Sequence, residues 1–131
     1  MYEKKLASVI SLKKGDTLII DNSPCKVTGV QVSRPGKHGH AKVRLEGVGI
    51  FDQKKRIIVM PGHDKIEVPV VEKKNAQVLS VSGNTATVMD MESYETFEMD
   101  IPAEFKADVH DNVEVLYWEI MGQKMIRQVK S

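Results

Sequence analysis

The chain's most distinctive chemistry lies in one run of nine residues, Arg34-Pro35-Gly36-Lys37-His38-Gly39-His40-Ala41-Lys42. Glycines and a proline surround Lys37, and the run contains no large apolar side chain. Pro35 fixes its own φ, whereas Gly36 and Gly39 tolerate positive φ, a combination typical of tight turns. The run therefore predicts an exposed hairpin turn that holds a long cationic side chain away from the body of the protein.

The region around this run carries charge of only one sign. No acidic residue lies between Asp21 and Glu46, and that stretch contains five cations, Lys26, Arg34, Lys37, Lys42 and Arg44. Like charges on paired strands repel one another, and such a cluster is typical of a surface that binds an anion. His38 and His40 can donate to phosphate or stack on bases. These residues predict binding to a polyanion, most commonly nucleic acid.

Two other chemistries deserve comparison with nucleic-acid binding. A small metal-dependent enzyme would use the histidines His38, His40 and His63, with Cys25 as a further ligand. No CxxC or HxxxH spacing accompanies them, so we expect no metal site. Cys25 lies in an alternating strand pattern, which favours a buried, unreactive thiol over a nucleophile. Because phosphate-loop, serine-hydrolase and zinc-protease motifs are also absent, we expect no enzymatic activity. The run Asp108-Val109-His110-Asp111 could supply an acid/base trio, but it is interpreted as a charged turn before the strand that begins at Val113.

Length and composition describe a small globular protein. The chain has 131 residues, of which 41% are hydrophobic and 28% charged, and no apolar run approaches the ~20 residues of a membrane span. The apolar stretch from Leu6 to Leu12 is interrupted by serines, which argues against a signal peptide. With a single cysteine, no internal disulfide can form. We therefore expect a cytoplasmic protein with no membrane partner.

The two halves of the chain differ in charge. Residues 1–71 contain thirteen basic and seven acidic residues, a net charge of +6, whereas residues 72–131 contain six basic and eleven acidic residues, a net charge of −5. Between them, Val68-Pro69-Val70-Val71 ends one apolar stretch and Glu72-Lys73-Lys74-Asn75 is interpreted as a short charged link. The sequence predicts two domains, 1–71 and 72–131.

Alternating apolar residues predict an all-β fold in both halves. Strands are expected in the first half over Thr17–Asp21, Cys25–Ser33, Ala41–Ile50, Arg56–Met60 and Lys65–Val71. In the second half they are expected over Ala76–Val81, Thr85–Met91, Tyr94–Ile101, Val113–Ile120 and Lys124–Val129, with a short helix after Pro102. Three strands, a short helix and two strands is the order of an OB-fold barrel, and the first half also predicts a small barrel. Trp118 is expected in the core beside Leu116 and Ile120.

These features resemble a known family. The segment from Ser33 to Lys42 is similar to the modification loop of translation factor 5A, the archaeal and eukaryotic relative of bacterial elongation factor P. The segment from Val68 to Ser80 is also similar to the domain junction of that family, and the two-barrel order agrees. The pair Arg34-Pro35 departs from the Thr-Gly form usual in eukaryotes and is closer to the archaeal form.

The resemblance implies an SH3-like barrel in residues 1–71 and an OB-fold in residues 72–131. It implies that Lys37 receives an aminobutyl group from spermidine, transferred by deoxyhypusine synthase with NAD, to give deoxyhypusine or, after hydroxylation, hypusine. The rest of the loop would contact the enzyme and transfer RNA: Arg34, Pro35, Gly36, His38, Gly39, His40, Ala41 and Lys42. Apart from this covalent group, the resemblance implies no bound cofactor.

The resemblance also implies partners. The expected protein is a monomer that binds the ribosome near the exit site and reaches the acceptor end of peptidyl-tRNA with its modified lysine. There it would promote peptide-bond formation at stalled sequences such as proline runs. The alternative is a general RNA-binding protein without modification, and the mass of the natural protein separates the two.

Overall fold

The computed structural model describes residues 2–34 and 41–130, and the chain divides into two compact units, Met1–Val70 and Val71–Ser131. Strands dominate both units. Within the described residues, the helical segments are two short 3₁₀ turns, Val9–Ser11 and Ala103–Phe105. Neither turn has the length or the apolar character of a helix that crosses a membrane. The all-β fold class is therefore confirmed.

The first unit is built from a four-stranded antiparallel sheet and a two-stranded ribbon. The sheet has the order β2-β3-β4-β5, and the ribbon pairs β1 with β6. The strands are β1 Lys4–Ser8, β2 Thr17–Ile20, β3 Ser23–Ser33, β4 Lys42–Gly49, β5 Lys55–Pro61 and β6 Lys65–Pro69. Strand β1 was not expected from the sequence, because it is specified by a partner distant in the chain: Lys4 lies opposite Pro69.

Strict alternation on β4 explains how the first unit forms its core. Val43 and Leu45 are fully buried, whereas Lys42, Arg44 and Glu46 are exposed or half-buried on the opposite face. Together with apolar residues on one face of each neighbouring strand, Val43 and Leu45 form a single core. The strands around this core form the SH3-like barrel expected for this unit. The buried members are Val9, Leu12, Leu18, Ile20, Cys25, Val27, Val43 and Leu45.

The second unit is one five-stranded sheet with the order β11-β10-β7-β8-β9, all pairs being antiparallel. Its strands are β7 Val71–Ser82, β8 Thr85–Asp90, β9 Thr96–Asp100, β10 Glu114–Ile120 and β11 Gln123–Lys130. The two outer strands β9 and β11 approach each other, so the sheet curls toward closure. The 3₁₀ turn lies between the third and fourth of these strands, which confirms the OB-fold order.

Two details of the second unit differ from the sequence-based expectations. Residues 72–75, expected to form a charged link, belong to β7 and pair with β10, where Glu72 lies opposite Glu119. The prediction that Trp118 belongs to the core is wrong, because β10 directs Val115 and Tyr117 inward and leaves Trp118 half-buried on the other face. Ile120, which was expected in the core beside Trp118, is fully buried, so alternation alone could not tell which residues of β10 are internal.

Candidate nucleic-acid interface

The candidate interface lies at the end of the β3–β4 hairpin. The two strands are antiparallel and stay paired up to Ser33 and Lys42, so residues 34–41 connect two adjacent strand ends. Among the predicted loop residues, Arg34, Ala41 and Lys42 are described, and Arg34 and Lys42 are exposed. The remaining predicted site residues lie outside the described part: Pro35, Gly36, Lys37, His38, Gly39 and His40.

The second end of the connection is fixed by the neighbouring strand. The Gly62 backbone N–H donates to the Ala41 carbonyl oxygen at 2.8 Å, and Lys42 pairs with Pro61 at the end of β5. A Cβ on residue 62 would lie 3.4 Å from both the Ala41 oxygen and Ile10 Cδ1, so Gly62 allows a close approach of two backbone segments. The strand pairing therefore places Ala41 at a defined position beside β5.

Three cations define the charge of this surface. Arg34 and Lys42 are exposed and Arg44 is half-buried, and Arg44 lies on β4 opposite Gln31 of β3. Within residues 2–34 and 41–130, none of the three forms an ion pair with a carboxylate. We call Arg34, Lys42 and Arg44 the cationic stem. Its charge remains available to an anion at the end of the hairpin.

The nearest acid on the same face is neutralised separately. Glu46 accepts a charge-assisted contact from Lys55 Nζ at 2.7 Å. The pKa of Glu46 is lowered, first by the hydrogen bond from Lys55 and further by the charges of Lys55, Arg44 and Lys14. Glu46 lies four positions along β4 from Lys42, so negative charge is confined to the part of the strand away from the loop.

Exposed apolar side chains lie next to the cations. On β5, Ile57 is 45% and Val59 is 59% exposed, and Val59 lies opposite Arg44 in the β4–β5 register. Val59, Lys55 and Gly62 were not expected at the interface from the sequence, because the β4–β5 pairing places them beside the loop strands. The alternation of Lys55–Pro61 was the signal that could have found the exposed β5 side chains.

Two residues of the alternative chemistries, Cys25 and His63, lie in the part of the chain that the structure describes. Cys25 is fully buried, and burial raises the pKa of its thiol although Arg56 Nη1 lies 4.0 Å from Sγ. The expectation of a buried thiol is therefore confirmed. His63 is exposed, with Nε2 3.6 Å from Asp64 Oδ1. The described residues contain no cluster of three or more metal-ligating side chains.

The run 108–111 lies in the turn region between the second 3₁₀ turn and β10, as expected. Val109 is buried, and His110 Nδ1 lies 3.1 Å from the carbonyl oxygen of Asp111. The His110 carbonyl oxygen accepts from the Val113 N–H at 3.2 Å, which leads the chain toward β10. These contacts give the run a structural role.

Two family models match the chain. The one described as "Translation initiation factor 5A-like, N-terminal" matches residues 5–64, and the one described as "Eukaryotic elongation factor 5A hypusine, DNA-binding OB fold" matches residues 70–130. Together they cover both structural units, and each model falls within one unit or begins one residue before it.

Curated relatives and solved structures agree with these matches. Translation initiation factor 5A of Archaeoglobus fulgidus is 46% identical over 96% of this chain and 98% of the relative, and that of Pyrococcus horikoshii is 43% identical over 100% and 98%. The solved structure of the Methanococcus jannaschii factor has a TM-score of 0.91 at 40% identity, covering 97% of this chain and 95% of that chain. A family protein of Naegleria fowleri has a TM-score of 0.77 at 31% identity, covering 98% and 99%.

Proposed function

The chain belongs to the translation factor 5A family, and from that premise we propose that it binds the ribosome near the exit site and presents a modified Lys37 to peptidyl-tRNA. The modification is the aminobutyl group of spermidine, added by deoxyhypusine synthase. In this proposal the domain of residues 1–71 carries the modified loop, and residues 72–131 form the second domain. The protein acts in the cytoplasm as a monomer and is not itself an enzyme.

The observation that carries the proposal is the cationic stem. Arg34 and Lys42 flank the loop, Arg44 follows on the same face, and no described carboxylate pairs with any of them. Lys42 lies at the paired end of the β3–β4 hairpin, and its strand β4 also pairs with β5. Pairing to neighbours on both sides holds Lys42 at the strand end, so this residue has little freedom to lose on binding.

Elongation of Lys37 gives this surface greater reach and a further cationic centre. Cations that bind phosphates release counterions, so each added contact strengthens binding to RNA. A side chain that holds the acceptor end of peptidyl-tRNA lowers the freedom of the reacting ester without taking part in proton transfer. Positioning of this kind accelerates reaction of a poor substrate such as a prolyl ester, while the ribosome supplies the chemistry.

The remaining loop residues have defined roles in the proposal. Pro35, Gly36 and Gly39 leave little bulk around Lys37, so that the loop can enter the tunnel of the modifying enzyme and later the ribosomal cleft. His38 and His40 contact phosphate or bases.

Ile57 and Val59 add an apolar surface beside the cationic stem, which a protein partner such as the modifying enzyme can cover.

The direct test is mass spectrometry of the peptide that contains Lys37, from protein purified from its natural host. We expect one aminobutyl group, with or without a hydroxyl, on Lys37 and none on Lys42, which serves as an internal comparison in the same loop. Protein made in a host without deoxyhypusine synthase is the unmodified reference. An unmodified Lys37 in the natural protein would contradict the proposal.

The second candidate is a general RNA-binding protein, and the same cationic stem favours it. Arg34, Lys42 and Arg44 can contact phosphates without any modification. This candidate predicts that modified and unmodified proteins bind RNA equally and support translation of proline runs equally. A cell-free translation assay with a proline-run reporter distinguishes the two, because only the first candidate requires the modified lysine.

A further inference from the structure

Trp118 occupies an unusual position in the second unit. It is the only tryptophan of the chain, and it lies half-buried on the face of β10 opposite the core residue Tyr117. Two cations from the flanking strands lie over its ring: Lys73 Nζ of β7 is 5.4 Å from the ring centroid, and Arg127 Cζ of β11 is 4.4 Å from it. Both distances fit cation–π interactions.

The charges of the second unit make these two cations distinctive. Residues 72–131 contain eleven acidic and six basic residues, so carboxylates are plentiful. Lys74 pairs with Glu119 at 3.2 Å, and Lys130 pairs with Glu114 at 3.0 Å. Lys73 and Arg127 are exposed, and neither forms an ion pair in the described part of the chain. Two available positive charges thus converge on one indole in an acidic unit.

The local backbone supports this arrangement. The β10–β11 register shifts between Leu116 and Tyr117, which pair with Gln128 and Ile126, and the extra residue on β11 is Arg127. Such a bulge redirects a side chain relative to the regular pleat. The Trp118 indole N–H is buried and has no acceptor among the described residues, so no hydrogen bond of that group fixes the ring's orientation.

We propose that Lys73, Trp118 and Arg127 form a contact site for single-stranded RNA, in which the cations bind phosphates and the indole stacks with a base. The cluster supplies the two components of single-strand binding surfaces, an aromatic platform and cations. Lys73, which is farther from the ring and has a flexible side chain, moves to one phosphate, and the Arg127 guanidinium contacts a second phosphate, so that a base can stack on the indole. An acidic peptide would satisfy the cations but offers no partner for the ring. This site goes beyond the proposed function and does not depend on Lys37.

Intrinsic fluorescence tests the proposal, because Trp118 is the sole tryptophan. The full chain is made unmodified and with Lys37→Ala, so that the loop lysine cannot contribute, and is titrated with a fluorescently labelled oligouridylate. We expect quenching of the Trp118 emission in parallel with the anisotropy change of the oligonucleotide. The double variant Lys73→Gln/Arg127→Gln should lose the quenching. The plot of the logarithm of its binding constant against log [salt] should also become shallower, its slope falling in magnitude by about 1.4, or about 0.7 for each lost single-strand contact.

The matched control is Lys124→Gln, which removes one exposed cation that lies 4.9 Å from the Phe97 ring in the same unit. The oligonucleotide should quench the Trp118 emission of this control as strongly as that of the parent. Thermal unfolding should show that all variants are folded. The proposal is overturned if the oligonucleotide does not bind, if it binds without changing Trp118 emission, or if Lys124→Gln loses as much as the double variant. Equal quenching by polyglutamate would also overturn it and would indicate an acidic protein partner.

Discussion

The hydroxyl of Tyr117 donates a hydrogen bond to Oδ2 of Asp90, and both residues are buried inside the second unit. Oδ1 of the same carboxylate accepts from the backbone N–H groups of Glu92 and Ser93 at 2.8 and 2.9 Å. Asp90 ends β8, and its carboxylate thereby joins the turn toward β9 to the central strand β10. A buried carboxylate is stabilised only when donors of this kind surround it.

We expect Tyr117→Phe to lower the free energy of unfolding by about 1–3 kcal/mol, because the buried Asp90 carboxylate would lose one of its donors. Chemical denaturation followed by Trp118 emission measures the change in this unit. The control is Tyr94→Phe, since Tyr94 is 71% exposed and its hydroxyl forms no bond within the described residues. Equal stability losses in the two variants would contradict the role assigned to the Tyr117 hydroxyl.

Acid should destabilise the second unit through Asp90. The hydrogen bond from Tyr117, followed by that from the Ser93 N–H, lowers the pKa of Asp90 to about 2 from its ordinary value of 3.8. Because the folded pKa lies below the unfolded pKa, the stabilisation is complete above about pH 4 and is lost as the pH falls toward 2. Near pH 3 the contribution to the slope is at most about 1.4 kcal/mol per pH unit.

The variant Asp90→Asn isolates this contribution, because the carboxyl group of Asp52 in the first unit also has its pKa lowered to about 2, mainly by the hydrogen bond from Arg56. Unfolding free energies measured from Trp118 emission between pH 5 and pH 2 should fall less steeply in Asp90→Asn than in the parent. Parallel slopes would show that Asp90 does not remain ionised in the folded protein.

Gly49→Ala should destabilise the first unit by about 1–3 kcal/mol, the usual cost of overpacking. A Cβ on residue 49 would overlap Asp52 Oδ1 and lie 2.9 Å from Arg56 Nη1. These two side chains form a bidentate pair, with Nη2–Oδ2 at 2.8 Å and Nη1–Oδ1 at 3.2 Å. Urea denaturation measures the loss.

The matched control for Gly49 is Gly29→Ala on the neighbouring strand β3. Its Cβ would lie 3.3 Å from Glu46 Oε2, the end of a flexible side chain that can move. We therefore expect a smaller loss for Gly29→Ala. If Gly49→Ala loses no more stability than this control, the Asp52–Arg56 pair does not require glycine at position 49.

Lys37 should matter for function and not for folding. Lys37→Ala is expected to leave the melting temperature unchanged, since the sequence predicts an exposed turn at Lys37 and substitution at an exposed position removes little packing. Lys37→Arg keeps the charge but cannot accept the aminobutyl group, so a host whose only copy carries it should grow poorly. The control Lys42→Arg also keeps its charge and should grow normally. Normal growth of the Lys37→Arg host would contradict a requirement for modification.

Local patterns predicted most strands because alternation and turn residues are properties of adjacent positions. Thr17–Ile20 and Thr85–Asp90 were predicted to within one residue, and the Gly83-Asn84 turn between β7 and β8 was found from its residue types. Strand β1 was missed because its partner β6 is remote in sequence. Residues 72–75 were misassigned because their charges indicated a link, whereas pairing with β10 makes them strand.

The sequence by itself determined the all-β class, the one-signed charge around Lys37 and the family, because these depend on residue types and their order. Only the tertiary structure decided which face of β10 is internal, that Tyr117 reaches Asp90, and that Lys73 and Arg127 meet over Trp118. The two side-chain contacts join residues from different strands, and the internal face of β10 depends on how its neighbours pack. Strand pairing across a curled sheet in turn depends on the simultaneous burial of all the apolar faces.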